Sequence, residues 1–222
     1  MAQAECKLLK AENKFQINSN QAKFQTSSSG GWCAEFSGKH SGHHVFDEPL
    51  AKALSTFFAG KRVASFGDGP GQYQLLLTKD GKVLSYAAFD GAPFTEQTSE
   101  NRVKFLDLAI PHFGLEVFDW ILSLEVAEHI PEQFEDTFLD NIFRHAREGI
   151  VLSWAVPRQG GTGHVNLHLF SFVRDVMAKA GFIHDEAASQ QFKNAAILSW
   201  LKANTNVFRR IEPFSAWNEV MA

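Results

Sequence analysis

Residues 63–77 read VASFGDGPGQYQLLL and decide the fold, because they join an apolar run to a glycine-rich turn and a second apolar segment. The pattern predicts a strand, a turn with glycines at 67, 69 and 71, and then a helix. Glycines in such a turn let a ligand approach the backbone closely. The N–H groups exposed at the helix start favour anionic or polar ligand groups.

A second signal lies further along the chain. The apolar run at 83–89 ends in Asp90, nineteen residues after Gly71. In nucleotide-binding α/β folds, an acidic side chain at that place binds the two ribose hydroxyls. The two signals together therefore predict a nucleotide site, whereas the turn alone is also compatible with an ordinary connection between a strand and a helix.

Two cofactors fit this pattern, a dinucleotide and S-adenosylmethionine. The dinucleotide fingerprint spaces its glycines as GxGxxG, but here they follow GxGxG with Pro70 inside the turn. Proline lacks the N–H group that a phosphate cradle would use. No GxxxxGKS or GxxxxGKT pattern occurs, which argues against a P-loop enzyme. S-adenosylmethionine is therefore the predicted cofactor.

Composition limits the class of protein. The chain has 222 residues, 45% of them apolar, which suits one sizeable core. A net charge of −4 argues against a nucleic-acid partner, and no apolar run is long enough to predict a membrane span. The two cysteines, Cys6 and Cys33, predict neither a disulfide framework nor a cysteine zinc site. A reducing compartment, and hence a cytoplasmic location, is the expectation.

The order of segments predicts the domain organisation. The small polar residues of 1–30 indicate a flexible or loosely docked arm, and 31–222 a single domain, in which 31–60 supply a lid and a helix capped by Asp47. Helical and apolar segments alternate after that, and residues 188–201 are a further helix candidate that ends with Trp200 and Leu201. The strand candidates are 62–66, 83–89, 102–106, 117–124, 149–155, 182–185 and 205–211. Such alternation predicts an α/β fold, a mostly parallel sheet with helices on both faces.

Ligands of open α/β sheets bind beyond the carboxyl ends of the strands. In this chain those ends carry the glycine turn, Asp90 and Asp107, together with residues 123–131, SLEVAEHIP, and the segment 153–166. The candidate site is therefore assembled from five separate strand ends.

These segments resemble the class I S-adenosylmethionine-dependent methyltransferases, and most closely the animal methyltransferase-like protein twenty-four group. Residues 123–131 resemble the motif that follows the fourth strand in that class. The resemblance spans about residues 31–211 and implies a Rossmann-like sheet of seven strands whose last two form an antiparallel hairpin. Its further motifs are SFGDGPG at 65–71, FDGAPF at 89–94, LSWAVP at 152–157, GHVN at 163–166 and NVFRR at 206–210.

The resemblance also implies roles for single residues. The three turn glycines would pack against the methionine part of the cofactor, Asp90 would bind the ribose, and Asp107 would lie near the adenine amino group. Glu125 would lie at the edge of the cofactor. The implied cofactor-binding residues are Ser65, Gly67, Asp68, Gly69, Gly71, Asp90, Gly91, Asp107, Leu108 and Glu125. Ser65 departs from the acidic residue usual at its position, and Asp68 is expected to do part of that work.

Two histidines are the candidates for catalysis. His129 and His164 are the best general bases, because imidazole accepts a proton near neutral pH. Glu128 is a weaker candidate, and a structural role at a helix start is the alternative for His129. The predicted substrate-binding residues are Trp32, His43, His44, Trp154, His164 and Asn166. For Trp154 the alternatives are an aromatic wall for a cationic amine and packing at the end of the sheet.

The histidines at 40, 43 and 44 form a further cluster. A metal is one interpretation, but adjacent histidines rarely point at one ion, and a substrate-side lid at 32–46 or an ordinary surface loop fits better. No metal is therefore predicted.

Three functions remain open on the sequence. The first is a methyltransferase that acts on a small molecule at nitrogen, oxygen or sulfur, as a monomer or homodimer without nucleic-acid or membrane partners. The second is a dinucleotide-dependent oxidoreductase, which the glycine spacing disfavours. The third is a catalytically degenerate binding or interaction module, which Ser65 and the lack of an obvious base keep open.

Overall fold

A computed structural model describes residues 4–7, 26–33, 44–161 and 163–211. Its centre is one seven-stranded sheet with the strand order β3-β2-β1-β4-β5-β7-β6. The strands are β1 Arg62–Phe66, β2 Ser85–Asp90, β3 Val103–Phe105, β4 Phe118–Ser123, β5 Ala146–Leu152, β6 Phe182–His184 and β7 Asn206–Arg210. Each of the seven predicted strands is therefore present.

Helices cover both faces of the sheet. They are α1 Glu48–Phe57, α2 Gln72–Asp80, α3 Thr95–Thr98, α4 Glu135–His145, α5 Phe170–Lys179, α6 Glu186–Ala195 and α7 Ser199–Asn204. One apolar core lies under α4 and α5 and includes Phe138 and Met177. The other lies under α1, α2, α6 and α7 and includes Leu54 and Phe192. This two-sided burial explains why every residue of β4 is buried, and why four of its six residues are apolar.

The pairing of the strands confirms the predicted fold class. Strands β1 to β5 pair in parallel, and β7 is antiparallel to both β5 and β6. The chain runs outward from β1 to β3 and then returns to β4, which lies on the other side of β1. This reversal opens a crevice at the carboxyl ends of β1 and β4. The last two strands are antiparallel neighbours as predicted, but α6 and α7 connect them instead of a tight turn.

Asp47 explains one difference from the predicted helices. Its Oδ1 accepts a hydrogen bond from the Leu50 amide and caps α1, as the sequence predicts. Its Oδ2 accepts from the amides of Ile197 and Leu198. Those two residues therefore leave the helical path, and the single helix expected over 188–201 is divided into α6 and α7.

The two described parts of the amino-terminal segment, residues 4–7 and 26–33, are linked covalently. Cys6 and Cys33 form a disulfide, with their Cα atoms 5.2 Å apart. The expectation that the cysteines stay reduced is therefore wrong, and the inference of a reducing compartment loses its basis. The pairing arises because residues 4–7 fold back onto 26–33, where Glu5 also accepts hydrogen bonds from Ser28.

Within the residues that the structure describes, no helix has the length and apolar character needed to cross a membrane.

Candidate functional site

A cleft of about 810 Å³ opens at the carboxyl ends of β1, β2 and β4. Its floor is formed by the turn after β1 and by the ends of β2 and β4. Residues 29–32 form one rim, and residues 199–204 with 156–161 form the other. The cleft therefore lies at the switch point of the strand order, where α/β sheets bind their ligands.

The turn after β1 depends on its glycines. Gly67, Gly69 and Gly71 have φ values of 98°, 60° and 86°, a region that side chains disfavour. A Cβ atom on Gly67 would collide with the side chain of Val126, and one on Gly69 would lie 3.0 Å from Nδ1 of His44. Glycine at these positions thus allows both the backbone conformation and the close approach of the cleft walls.

Asp90 holds the turn in place. Its Oδ2 accepts a hydrogen bond from the Gly69 amide at 2.8 Å, and its Oδ1 accepts from the Ala92 amide at 2.7 Å. Burial raises the pKa of the Asp90 carboxyl, and the two amides offset only part of that increase. Each oxygen has a further lone pair, so the carboxylate can also accept from a ligand in the cleft.

Asp68 lies beside Asp90 and is also buried. It accepts hydrogen bonds from the Gln74 amide and from the Tyr86 hydroxyl, at 3.1 and 3.3 Å. Burial raises its pKa to about 7, and hydrogen bonds from Gln74, Ser65 and Tyr86 reduce the increase. The methyltransferases that the sequence resembles have an acidic residue at the position of Ser65. In this chain Asp68, which is hydrogen-bonded to Ser65, places a carboxyl group in the same part of the cleft.

Glu125 has an unusual backbone conformation for a residue other than glycine. Its φ is 56°, which is uncommon for glutamate and is found most often at functional sites. The Ser153 hydroxyl accepts from the Glu125 amide at 2.7 Å and donates to Oε1 at 2.8 Å, and the turn is thereby held. Burial raises the pKa of this carboxyl. The carboxylate is directed into the cleft by the turn that follows β4.

His129 and His164 meet at the far side of the cleft. Their ring centroids are 5.1 Å apart in an edge-to-face arrangement. Nδ1 of His129 lies 3.1 Å from the Gly163 carbonyl, which only accepts, so this nitrogen carries the proton. Burial lowers the pKa of His129 to about 4, so the ring is neutral at pH 7 with a lone pair on Nε2. A Cβ atom on Gly161 would collide with the His164 ring.

The segment 26–33 closes one side of the cleft. Its Trp32 ring lies 5.5 Å from the His129 ring and 6.2 Å from that of His44. A Cβ atom on Gly30 would collide with the His129 carbonyl oxygen, and one on Gly31 with the Gly91 carbonyl oxygen. Gly30 and Gly31, on either side of the predicted domain boundary, therefore both pack closely against the walls of the cleft.

The structure brings most of the predicted site residues together. Those that line the cleft are Trp32, His44, Ser65, Gly67, Asp68, Gly69, Asp90, Gly91, Asp107, Leu108, Glu125, His129 and His164. Gly71 does not line it, but begins α2 and leaves room for the Val103 side chain. His43 lies outside the described residues.

Trp154 follows the second of its two predicted alternatives, packing in the core, and Asn166 does not line the cleft. Trp154 is buried in the core under α4 and α5, and its Nε1 donates to the Asn166 carbonyl. The Asn166 side chain donates to Glu135 instead of facing the cleft. Along an extended chain successive side chains point to opposite sides. Ser153 therefore faces Glu125, and Trp154 faces the other way.

Other lining residues were missed by the sequence analysis. Tyr73 and Trp200 line the cleft from α2 and α7, and residues 29–31 and 203–204 form parts of its two rims. In the sequence Trp200 stands only near the end of the helix candidate at 188–201. A tryptophan in a short helix that follows a loop carries no signal for a ligand site, because its neighbours in space come from distant segments.

Comparison with known proteins identifies the fold. No protein-family model matches the chain, and no curated protein matches it. Among solved structures, magnesium protoporphyrin IX methyltransferase from Synechocystis PCC 6803, with bound SAM, is 18% identical with a TM-score of 0.52, covering 73% of this chain and 76% of that chain. The cyclase SpnF is 14% identical with a TM-score of 0.52, covering 73% and 78% of the two chains.

A putative sarcosine dimethylglycine methyltransferase from Galdieria sulphuraria is also similar. It is 14% identical with a TM-score of 0.51, and the match covers 74% of this chain and 84% of that chain. At these identities the similarity concerns the fold alone. The chain has the Rossmann-like class I methyltransferase fold.

Proposed function

We propose that the chain is an S-adenosylmethionine-dependent methyltransferase that acts on a small molecule. The observation that carries this proposal is the hydrogen bond between the Gly69 amide and Asp90 at the floor of the cleft. It joins the glycine turn after β1 to the acid that ends β2, the two signals expected of an adenosyl-binding site. The class I fold places the same two elements at the switch point of the sheet.

The residues present fit this cofactor. Asp90 offers free lone pairs to the two ribose hydroxyls, and Asp107 and Leu108 line the part of the cleft where the adenine would lie. Pro70 leaves the turn without one amide, which suits a ligand that lacks a pyrophosphate better than a dinucleotide. S-adenosylmethionine supplies an activated methyl group on a sulfonium.

Proteins of the same fold support this choice. The Synechocystis magnesium protoporphyrin IX methyltransferase was crystallised with bound SAM and also with bound SAH. SpnF has a similar fold but is named as a cyclase, so the fold by itself does not determine which reaction a protein catalyses. The resemblance to the methyltransferase-like protein twenty-four group is part of this proposal and rests on the sequence motifs alone.

The chain's own residues would orient the acceptor and exclude water. His129 is neutral at pH 7 and bears an unprotonated Nε2, so it can accept a hydrogen bond or a proton from an approaching nucleophile. His164 lies beside it, and Trp32 covers the pair from the rim of the cleft. A nitrogen, oxygen or sulfur acceptor held against these rings would be shielded by residues 26–33.

A small molecule is the substrate class that the cleft supports. Its volume of about 810 Å³ lies within the range of small-molecule sites and has to hold the cofactor as well. The net charge of −4 disfavours a nucleic-acid substrate, which would need a basic track. We further propose that the protein acts as a monomer or homodimer.

A second candidate is a module that binds the cofactor without catalysis. Ser65 favours it, because the acid usual at this position would contact the cofactor's amino group. Asp68 lies near Ser65, but its buried carboxyl has a pKa of about 7 and is half protonated at neutral pH.

The test is the melting temperature of the protein with S-adenosylmethionine, S-adenosylhomocysteine and NAD, each at saturation. A ligand at a hundred times its Kd adds about 2.7 kcal/mol, which raises the Tm of a chain of this size by roughly 5–11 °C. We expect a rise with the two adenosyl ligands and none with NAD. Methyl transfer to a panel of small amines, phenols, acids and thiols then separates the enzyme from the binding module. A rise with NAD alone would contradict the proposal.

A further inference from the structure

Three side chains at one end of the cleft meet in a way that methyl transfer does not require. Glu128, His129 and His164 each bring one potential ligand atom to a common point, and these atoms all lie within 4.8 Å of one another. Nε2 of His164 lies 4.0 Å from Oε1 of Glu128. The cluster combines a carboxylate with two imidazoles, a donor set that is common at transition-metal centres in proteins.

Glu128 is the member that most needs a partner. Its side chain is 0% exposed, and neither carboxylate oxygen makes a well-formed hydrogen bond with the described residues, although the Glu125 carboxyl and the Ala155 amide lie close enough to affect its pKa. A buried carboxylate without a partner is costly, because it loses its hydration and gains nothing in return. Burial and the nearby charge of Glu125 raise the pKa of Glu128 well above its usual value, although neighbouring amides reduce the increase.

The two histidines are prepared for the same role. The Nδ1–H group of His129 donates to the Gly163 carbonyl, which leaves the lone pair of Nε2 available. Metal-binding histidines in proteins are commonly oriented by such a bond from the other ring nitrogen to a carbonyl. His164 is 11% exposed, and its Nδ1 has no hydrogen-bond partner in the described part of the chain.

Backbone hydrogen bonds hold the two segments that carry the three side chains close together. The amides of Val165 and Asn166 donate to the Glu128 carbonyl at 2.8 and 3.1 Å, which fixes the loop that carries His164 to the motif after β4. The His164 ring lies directly over Gly161, where a Cβ atom would collide with it. Two segments therefore build the cluster. They are joined by the hydrogen bond between His129 and Gly163, which are 34 residues apart in the sequence.

We infer that Glu128, His129 and His164 form a binding site for a divalent transition metal such as zinc, manganese, cobalt or iron. Imidazole nitrogens favour these ions over magnesium and calcium, which prefer oxygen ligands. Bonds of about 2.0–2.2 Å would draw the three ligand atoms closer together than 4.8 Å. Side-chain rotation supplies this movement, because each group is attached to Cβ by at least one rotatable bond. His44, from the histidine cluster for which the sequence predicted no metal, is not one of the three ligands.

The position of the site suggests its use. His129, His164 and Glu125 line the cleft, so a metal held there would keep open positions toward a ligand. A hydroxyl group of the acceptor bound at such a position would be oriented and would release its proton to solvent more readily, which makes its oxygen more nucleophilic. This use rests on the proposed methyltransferase function, whereas metal binding itself does not. With a metal bound, Nε2 of His129 is a ligand, and the bound metal takes the place of the imidazole as the group that activates the acceptor.

The experiment is a titration of the full chain, free of tags and treated with a chelator, with cobalt chloride, zinc chloride and magnesium chloride. We expect one equivalent of cobalt or zinc to bind, with visible cobalt bands typical of nitrogen ligands, and magnesium to bind far more weakly. The variants Glu128→Gln and His164→Gln should each weaken zinc affinity at least about tenfold, because a metal site loses a ligand in each. Glu128→Gln is nearly isosteric and places a side chain that cannot ionise in a buried position, so it should fold.

His168→Gln is the matched control. His168 forms a pair with Glu135 at 2.7 Å, away from the cluster, and its replacement should leave zinc affinity unchanged. No stoichiometric metal in the wild type, or unchanged affinity in both site variants, would overturn the inference. S-adenosylhomocysteine binding is measured on the same samples. Cofactor binding without metal binding would reject this site alone, and metal binding without cofactor binding would reject the proposed function alone.

Discussion

The Gly69 amide donates to Oδ2 of Asp90 over 2.8 Å, so the turn after β1 and the acid that ends β2 form one unit. The other oxygen of the same carboxylate, Oδ1, accepts a hydrogen bond from the Ala92 amide. Asp90 is thus a structural clamp for the floor of the cleft and a candidate ligand group at the same time. A variant at this position tests both roles.

Asp90→Asn should weaken the binding of S-adenosylhomocysteine at least about tenfold, or 1.4 kcal/mol. Asparagine has one acceptor oxygen, so its NH₂ group would face one of the two amide donors, and the ribose would lose a charged partner. Isothermal titration calorimetry provides the affinity. Glu116→Gln is the control, because Glu116 is an exposed partner of Arg62 far from the cleft floor. Equal affinities in both variants would remove Asp90 from the ribose site.

Asp68→Asn should change how stability depends on pH. Burial raises the pKa of Asp68 from 3.8 to about 7 in the folded state, so the folded protein binds more protons than the unfolded chain between these values. The wild type should therefore lose stability as the pH rises from about 4 to about 7, whereas the amide of the variant does not titrate. Urea unfolding at pH 4.5, 5.5, 6.5 and 7.5 should show the difference between the two proteins shifting in favour of the variant, by a few kcal/mol at most. A difference independent of pH would mean that Asp68 is ionised throughout.

Gly161→Ala should displace the His164 ring, because the added methyl group would occupy the space of that ring. We expect zinc affinity to fall about as far as in His164→Gln, while Tm stays nearly unchanged, since residue 161 lies in an exposed loop. Gly160→Ala is a close control, because a Cβ atom there meets nothing within 4 Å. If both alanine variants bound zinc like the wild type, the contact between Gly161 and His164 would have no role in the site.

Cys6→Ser should loosen the segment 26–33. The disulfide closes a separation of 27 residues, for which loop-closure entropy predicts a contribution of about 3–4 kcal/mol at most. Hydrogen exchange of residues 26–33 should therefore become faster and Tm should fall. Cys33→Ser should behave identically, because each variant breaks the same bond. Reaction of the untreated wild type with two equivalents of maleimide would show that the cysteines are unpaired.

Much of the fold follows from short-range patterns in the sequence. Residues 63–66 of β1, all residues of β4 and residues 149–152 of β5 are buried, as expected of strands covered on both faces. The glycine turn and the acid after β2 locate the cleft, because carboxyl ends of parallel strands meet at one edge. The helix before β1 carries its own cap, Asp47, and this local hydrogen bond is visible in the sequence.

The remaining features depend on residues far apart in the chain. Asp47 divides α6 from α7 through hydrogen bonds to amides 150 and 151 residues away, which no local pattern encodes. The disulfide joins two cysteines that are 27 residues apart, and Glu128 lies beside His164, which is 36 residues further along the chain. The orientation of Trp154, in contrast, can be predicted locally, because successive side chains along an extended chain point to opposite sides. Ser153 faces Glu125, which lines the cleft, so its neighbour Trp154 points away from the cleft.

The buried carboxyls of Asp68 and Asp90 make the cleft sensitive to the charge of its occupant. Both groups hold their protons more tightly than they would in water. A ligand that brings a positive charge beside them stabilises the ionised forms, so protons pass to the buffer as it binds. A neutral ligand of the same shape displaces none. On the proposed function, the sulfonium and the demethylated product differ in this respect, and the observed heat of binding would follow the ionisation enthalpy of the buffer for the first but not for the second.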